Sequence, residues 1–269
     1  MKISIVTATY NYASTLEQTI QSVLQQTYPD IEYIIIDGNS TDETPQIVAR
    51  YAKQFGERLI YVREADKGLY DAMNKGLRLA TGDVVAILNA DDFFTSNDII
   101  ERVADYMSEH KEIDAVYGDV HFVRSDDLTQ CVRYYSSRPF RRGLMRLGFM
   151  PAHPSFYCRR QVYQSYGYFD TSYRVGADFE MLLRFIFIHR ISMAYLPIDF
   201  VTMRMGGIST SGITSYRQIL VDIRHALRNN GVKSSYPLLM LRYVYKISEL
   251  IWSKMCFRSY GKNRHKAQS

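Results

Sequence analysis

An amide and two adjacent carboxylates follow directly after an apolar run near residue 90. The run Val84-Val85-Ala86-Ile87-Leu88 leads into Asn89-Ala90-Asp91-Asp92. Five apolar, partly β-branched residues predict a buried parallel strand, and ligands bind outside the carboxyl ends of such strands. Clustered oxygen ligands there suit Mg²⁺ or Mn²⁺ carrying a phosphorylated substrate. A single acid could simply cap the following helix, but two acids and an amide after a fully apolar strand favour the metal.

Three other stretches place polar residues at the predicted ends of parallel strands. They are Thr7-Ala8-Thr9-Tyr10-Asn11, Asp37 and Asp66-Lys67. Parallel strands bring these stretches to the same edge of the sheet as the acids. The first turn lacks the glycine pattern of a dinucleotide site, and the sequence has no P-loop motif. A mononucleotide cradle remains, in which Asp37 accepts the imide N–H of a base while Thr7 and Thr9 hold the nucleoside. Asp37 could equally form only a local turn.

A transfer reaction at such a site needs a group that takes a proton from the attacking hydroxyl. Asp178 follows a glycine turn and opens an apolar helix, so it is the best candidate for this base, with an ordinary helix cap as the alternative. His153 lies between two prolines and is a third metal ligand, an acceptor contact or a surface histidine. Arg204 precedes two glycines and could clamp a diphosphate, whose charge a metal on Asp91 or Asp92 would neutralise.

The surrounding chain alternates between strand and helix patterns. Four β units joined by three helices in the first hundred residues predict a parallel sheet with right-handed crossovers. Beyond residue 110 an antiparallel pair is predicted at 115–123 and 130–135, a helix at 178–188 and a strand at 195–205. The stretch 206–212 has the small-residue composition of a mobile lid or a flexible connector.

Composition and charge narrow the class of protein. The 269 residues are 46% hydrophobic, enough for one large α/β domain. Three widely spaced cysteines indicate neither a disulfide framework nor a zinc site, and they favour a reducing, cytoplasmic setting. No signal-peptide pattern or membrane-spanning apolar run is present in the sequence. Residues 231–269 carry eight Lys/Arg against one Glu, whereas residues 1–230 carry 25 Lys/Arg against 27 Asp/Glu, so no nucleic-acid partner is expected.

The ordered motifs resemble those of the inverting glycosyltransferases of family 2. The matching stretches are 4–11, 35–44, 66–68, 74–76 and 82–92, and the likeness spans about residues 3–210. The branch that serves bacterial exopolysaccharide, colanic-acid-type or O-antigen assembly is the most similar, since His153-Pro154-Ser155 is followed by Gly176-Ala177-Asp178. This resemblance implies the GT-A (Rossmann-like) fold, an α/β domain with a mostly parallel sheet flanked by helices.

The resemblance also implies an activity and a set of site residues. The expected enzyme moves a sugar from a nucleoside-diphosphate sugar, with UDP favoured, to a hydroxyl of a glycan or lipid-linked acceptor, using Mn²⁺ or Mg²⁺ and Asp178 as base. The family's D-x-D element begins here with Asn89, which keeps an acceptor oxygen but loses a charge, so metal ligation should rest on Asp91 or Asp92. Ala177 replaces an acid that often precedes the base. The expected nucleotide contacts are Thr7, Thr9, Tyr10, Asn11, Asp37, Asp66, Lys67, Asn89, Ala90 and Asp91.

The expected organisation is a GT-A domain at 1–230, with a nucleotide-binding half at 1–110 and an acceptor half at 111–230, followed by a basic amphipathic tail at 231–269. Residues 238–257 predict a helix whose apolar face either lies on the anionic inner face of the plasma membrane or packs on the domain. Two other functions stay open. One is a sugar nucleotidyltransferase, whose Gly-rich first loop is absent; the other is a catalytically silent membrane partner in a polysaccharide assembly complex.

Overall fold

The first hundred residues form alternating strands and helices, as their apolar periodicity predicts. The computed structural model describes residues 1–206 and 213–242, with side chains in the second range from residue 217 onward. Every residue of the first, second and fourth strands is buried, because helices pack on both faces of this part of the sheet. The elements are β1 (Ile3–Thr9), α1 (Ala13–Leu24), β2 (Ile31–Asp37), α2 (Thr44–Phe55), β3 (Leu59–Arg63), α3 (Leu69–Leu79) and β4 (Val84–Ile87).

The second half contains shorter strands and less regular helices. The predicted antiparallel pair is confirmed as β6 and β7. The helix predicted at 178–188 divides into α6 and a π-helical continuation, Leu183–Ile188, and another helical segment begins at residue 236. The elements are β5 (Phe93–Phe94), α4 (Ile99–Glu109), β6 (Ala115–Val123), β7 (Cys131–Tyr135), β8 (Tyr157–Arg159), α5 (Arg160–Tyr166), α6 (Ala177–Leu182), β9 (Met193–Arg204) and α7 (Ile213–Asn229).

Nine strands in the described residues form one sheet, in the order β3-β2-β1-β4-β8-β6-β9-β5 with β7 beside β6. The pairs among β3, β2, β1 and β4 are parallel, as predicted. β8 is antiparallel to both of its neighbours, and parallel pairing returns only between β6 and β9. The α/β class is therefore confirmed, whereas the sheet as a whole is mixed.

The strand register brings sequence-distant polar residues together. β1 pairs with β4 from Ile3 opposite Val84 to Val6 opposite Ile87, so the turns that follow these two strands lie side by side. β5 pairs antiparallel with β9, with Phe93 opposite Thr202. The second pairing brings the end of β9 next to the acids that precede β5.

Helix α3 packs closely on the parallel strands and also contacts the second half of the chain. A Cβ atom on Gly76 would lie 2.3 Å from Cγ1 of Val6, so only glycine allows this approach. Two residues earlier, the Asn74 side chain forms two hydrogen bonds with the backbone of Phe169, donating to the carbonyl oxygen at 2.8 Å and accepting from the N–H at 2.9 Å. The motif at 74–76 therefore joins the parallel strands to a loop in the second half of the chain.

The start of the predicted tail is partly packed on the domain. Leu239 is 1% exposed and belongs to the core with Ile223, whereas Leu238, Met240 and Leu241 are exposed. Residues 243–257 of the predicted amphipathic helix and residues 207–212 of the predicted lid lie outside the described residues. No helix within the described ranges is long and apolar enough to cross a membrane.

Candidate active site

A cavity of about 380 Å³ lies at the carboxyl ends of β1 and β4. The β1–α1 turn, the start of α3 and the acids after β4 form one side, and the loops before β8 and α6 form another. The end of β9 completes the wall. The predicted site residues that line this cavity are Thr9, Tyr10, Asp66, Asn89, Ala90, Asp91, Asp92, His153, Asp178 and Arg204.

Thr7 and Asp37 are buried and do not line the cavity. The Thr7 hydroxyl donates to the Leu88 carbonyl oxygen at 2.7 Å, which ties β1 to β4. The Asp37 carboxylate accepts hydrogen bonds from the Ser40 N–H at 2.8 Å and the Tyr61 hydroxyl at 2.7 Å. The local turn that the sequence allowed for Asp37 is therefore present. Thr7 and Asp37 both hold backbone segments behind the cavity. Their contact with a nucleoside stays a prediction.

Asn11 and Lys67 lie at the surface, next to residues of the cavity wall. Asn11 has a positive φ of 57°, and its side-chain oxygen accepts the Thr41 N–H at 2.8 Å. The Lys67 side chain is exposed, and its backbone N–H donates to Asp71 at 3.0 Å. Nucleotide binding by Asn11 and Lys67 also stays a prediction.

Asp91 and Asp92 occupy different environments. Asp92 is 1% exposed, and its carboxylate accepts hydrogen bonds from the Asn89 amide at 3.0 Å and from the Arg204 backbone N–H. Asp91 is partly exposed at the cavity wall. The alternative of a helix cap is wrong for both acids, because α4 begins only at Ile99.

The acids share a poorly solvated region with one guanidinium group. Burial raises the pKa of Asp91, while the positive charge of Arg204 opposes that shift. Burial and the charge of Asp91 raise the pKa of Asp92 well above its usual value. The Arg204 guanidinium lies over the Phe93 ring, 5.2 Å from its centroid, and donates to the Asp91 carbonyl oxygen. An added cation would stabilise both carboxylates in their charged form.

Two threonines of α1 hold the backbone of this acidic stretch. The Thr19 hydroxyl lies 3.0 Å from the Ala90 carbonyl oxygen and 2.7 Å from that of Asp92, and the Thr15 hydroxyl donates to Ala90 at 2.9 Å. These residues were not predicted as part of the site. Their sequence signal is weak, since it consists only of two hydroxyls four residues apart on an otherwise amphipathic helix.

The donor set fits a divalent cation that binds together with a phosphorylated substrate. No group of three or more His, Cys, Asp and Glu side chains that could hold a metal occurs in the described part of the chain. Mg²⁺ and Mn²⁺ sites often use one or two carboxylates and take their other ligands from phosphate and water. Asp91 at the wall, with Asp92 and Asn89 behind it, matches that requirement. Metal ligation by His153 stays a prediction.

Asp178 lies in the first turn of α6 and lines the same cavity. Gly176 is the N-cap residue of α6, so the cap alternative for Asp178 is wrong. Its carboxylate accepts the N–H of Phe179 at 2.7 Å. Although the residue is partly exposed, burial among protein atoms raises the pKa of its carboxyl group to about 6. A carboxylate with a pKa near neutrality in a cavity suits a general base.

Comparison with known proteins decides the family. Residues 4–167 match the model of glycosyl transferase family 2. The chain belongs to glycosyltransferase family 2. It is 38% identical over 181 residues to the PGL/p-HBAD biosynthesis glycosyltransferase of Mycobacterium bovis strain BCG, a match that covers 67% of this chain and 68% of the relative. It is 27% identical over 270 residues to an uncharacterized glycosyltransferase of Mycobacterium tuberculosis, covering 95% and 97% of the two chains.

Solved structures show the same fold at low identity. S. aureus TarS in complex with UDP-GlcNAc aligns with a TM-score of 0.67 and 18% identity, over 89% of this chain and 70% of that chain. The mannosyltransferase PcManGT from Pyrobaculum calidifontis, in complex with GDP-Man and Mn²⁺, aligns with a TM-score of 0.59 and 19% identity, over 94% and 83%. The predicted GT-A fold is thus confirmed, and the family match confirms the predicted transferase class.

His153 of this glycosyltransferase is a buried wall residue. It is 8% exposed in a short 3₁₀ turn, His153–Ser155, with its ring 5.6 Å from that of Phe169. The surface-histidine alternative is therefore wrong. Burial lowers the pKa of His153 to about 4, so the imidazole is neutral at physiological pH. A neutral imidazole can donate a hydrogen bond to a substrate hydroxyl through one ring nitrogen and accept one through the other.

Sequence reasoning missed the aromatic and apolar part of the transferase cavity. Tyr70 is the second residue of α3, and its hydroxyl donates to the carbonyl oxygen of Val175, two residues before α6. The only sequence signal for Tyr70 was its position two residues after the predicted loop 66–68. Other wall residues not predicted include Tyr12, Leu69, Met73, Phe122 and Met203, together with the charged Arg174.

Proposed function

We propose that this family 2 member is a metal-dependent inverting glycosyltransferase that uses a nucleoside-diphosphate sugar, with UDP favoured. One observation carries the proposal. A single cavity has paired carboxylates after β4 and, on another part of its wall, Asp178, whose pKa burial raises to about 6. Separate sites for a charged leaving group and for a proton acceptor are what a direct displacement requires.

The donor side would hold the nucleotide along the ends of β1 and β4. Thr9, Tyr10 and Asp66, which line the cavity, would contact the nucleoside, and Asp91, the more exposed of the two acids, would bind the metal directly. Asp92, held by the Asn89 amide, would orient that ligand. Bound Mn²⁺ or Mg²⁺ would supply positive charge to the departing diphosphate, and the Arg204 guanidinium adds charge on the same side.

The acceptor side would supply the base. Asp178 accepts the proton of the acceptor hydroxyl as that oxygen forms a bond to the anomeric carbon. The bond from this carbon to the diphosphate oxygen breaks, and the diphosphate leaves with the electron pair. Since attack and departure occur on opposite faces of the sugar, its anomeric configuration inverts. The neutral His153 imidazole on the same wall would hydrogen-bond a substrate hydroxyl.

The proposed donor and the proposed acceptor rest on different observations. Fold neighbours bind UDP-GlcNAc and GDP-Man, and one of them also binds Mn²⁺, which supports a nucleotide-sugar donor and a divalent metal. A glycan or lipid-linked acceptor in bacterial cell-surface polysaccharide synthesis rests on the sequence resemblance. Nucleotide binding by Thr7, Asn11, Asp37 and Lys67 rests on the same resemblance and is part of the proposal.

We also propose a cytoplasmic enzyme that meets the inner face of the plasma membrane through residues 238–257. The exposed Leu238, Met240 and Leu241 at the start of this segment support the proposal. A triple variant with glutamine at these positions should bind vesicles containing anionic lipid less tightly than the wild type. Glutamine at the packed Leu239 would instead lower stability and is not suitable for this test. Unchanged vesicle binding by the triple variant would contradict the membrane proposal.

Calorimetric titration of UDP, GDP and dTDP, with and without Mn²⁺, tests the donor site. One nucleotide should bind more tightly with Mn²⁺, and the Asp91→Ala/Asp92→Ala double variant should lose this dependence. Asp105→Ala is the matched control, because Asp105 is an exposed acid on α4. If the wild type binds none of the three nucleotides, the donor site is wrong. Nucleotide binding without release of nucleotide from UDP-GlcNAc or GDP-mannose would instead favour the catalytically silent partner.

A further inference from the structure

A carboxylate from α7 holds the backbone that leads into the proposed base. Asp222 is 5% exposed, and its Oδ2 atom accepts the N–H groups of Val175 and Gly176, each at 3.0 Å. Its Oδ1 atom accepts a hydrogen bond from the Gln218 amide at 2.7 Å. Asp222 therefore binds two successive peptide N–H groups immediately before the helix that carries Asp178.

The approach of α7 to this backbone leaves no room for a side chain. A Cβ atom on Gly176 would lie 2.7 Å from Cβ of Asp222. Gly176 has a φ of −97°, which other residues adopt readily, so close contact and not backbone conformation requires the glycine. The glycine of the Gly176-Ala177-Asp178 segment is thus explained by the position of Asp222.

A second side chain holds the same segment from the nucleotide half. The Tyr70 hydroxyl of α3 donates to the carbonyl oxygen of Val175, whose N–H is bound by Asp222. Both backbone groups of Val175 are therefore hydrogen-bonded, the carbonyl oxygen by Tyr70 of α3 and the N–H by Asp222 of α7. Together these bonds restrict the rotation and translation of the turn that precedes Asp178.

We propose that Asp222 is a positioning residue, which orients Asp178 toward the acceptor hydroxyl by binding the N–H groups of Val175 and Gly176. The inference rests on the proposed role of Asp178 as base. It makes α7, a helix that is not part of the donor site, necessary for efficient proton transfer. Displacing a catalytic group by about 1 Å can cost about 100-fold in rate, so loss of this anchor should reduce turnover strongly.

The docking of α7 has other anchors, which makes the test feasible. Ile223, Ala226 and Leu227 are buried in the core. Just after α7, the Asn230 amide donates to the Glu180 carboxylate of α6 at 3.3 Å. A variant at Asp222 should therefore keep α7 in place while releasing the turn at 175–176.

Asp222→Ala and Asp222→Asn separate positioning from general stability. Alanine removes the acceptor, so the amides of Val175 and Gly176 should exchange hydrogen faster. Turnover, measured as nucleotide released from UDP-GlcNAc or GDP-mannose with Mn²⁺, should fall about 10- to 100-fold, while the dissociation constant for the nucleotide changes less than about twofold. Asparagine keeps one oxygen, which can accept both N–H groups. Its NH₂ group then faces Gln218, whose side-chain amide rotates by about 180° to present its oxygen. Asp222→Asn should therefore restore catalytic turnover to within about threefold of wild type.

Asp114→Ala is the matched control, since Asp114 also binds a backbone N–H, that of Ser192 at 2.9 Å, and does not line the cavity. It should leave turnover unchanged. Three outcomes would each overturn the inference. The first is turnover of Asp222→Ala within twofold of wild type, and the second is an equal loss of turnover in both Asp222 variants. The third is fast hydrogen exchange at the Val175 and Gly176 amides of the wild type. Full turnover in Asp178→Asn would refute the proposed base. Hydrogen exchange at Val175 and Gly176 does not depend on catalysis, so it still reports whether Asp222 holds these two amides.

Discussion

Replacing Asp178 by asparagine should stabilise the folded protein while abolishing transfer. Burial raises the pKa of this carboxyl group from 3.8 to about 6, so its ionisation opposes folding. A shift of about 2 pKa units corresponds to roughly 3 kcal/mol, and partial exposure of the residue reduces the expected gain to about 1–3 kcal/mol. Asparagine keeps an oxygen for the Phe179 N–H and removes the charge. For a protein of this size each kcal/mol raises the melting temperature by about 2–4 °C, so a rise of about 2–12 °C is expected.

The gain should depend on pH with a definite sign. An acid whose pKa is higher in the folded state destabilises the fold most above pH 6, where it is ionised in both states. The penalty decreases as pH falls through 6 and disappears below 3.8, where the group is protonated in both states. Asp178→Asn should therefore gain most at pH 8 and much less at pH 4.5. Transfer by the wild type should fall about tenfold per pH unit below pH 6, because the base becomes protonated.

Urea unfolding of the wild type and Asp178→Asn at pH 8 and pH 4.5 measures this difference, with Asp105→Asn as the exposed control. The control should change the free energy of unfolding by less than about 0.5 kcal/mol at either pH. An Asp178→Asn variant no more stable than wild type at pH 8, or equally stabilised at both pH values, would refute the argument that burial sets the pKa of this acid.

Three further predictions concern the surrounding scaffold. Burial would raise the pKa of Glu32, but hydrogen bonds from neighbouring lysine, serine and threonine side chains outweigh it and lower the pKa to about 2. Because the Lys2 partner is exposed to solvent, Glu32→Gln should lose about 1–3 kcal/mol at pH 7, and much less as pH falls from 4.5 toward 2, measured by urea unfolding. Gly76→Ala should destabilise by about 1–3 kcal/mol in the same assay, because its Cβ meets Val6. Thr19→Val should weaken Mn²⁺-dependent nucleotide binding in calorimetry, because the Asp92 carbonyl oxygen loses its hydrogen-bond donor, whereas Ala90 keeps that of Thr15; unchanged binding would contradict this role.

The sequence by itself determined the parallel half of the fold and the edge that carries the site. Apolar runs and the polar residues that end them are local features, so β1 to β4 and the turns after β1 and β4 could be predicted. The conjunction of motifs also predicted the family correctly. Asp91 and Asp178, predicted for one site, line the same cavity, and their roles stay a prediction. The short strand β8, only Tyr157–Arg159, has too few residues for a periodic pattern, so its antiparallel insertion between β4 and β6 could not be predicted.

Tertiary structure decided which predicted residues reach the cavity and how they ionise. Asp37 ends β2 as predicted, whereas Thr7 lies inside β1, which continues to Thr9. Packing against β4 and β3 buries both side chains. The raised pKa of Asp178 and the lowered pKa of His153 depend on burial by segments far away in the sequence. Asp222, 44 residues after Asp178, approaches its turn only because α7 folds back across α6. Burial and long-range hydrogen bonding depend on the assembled chain, and local residue patterns do not encode them.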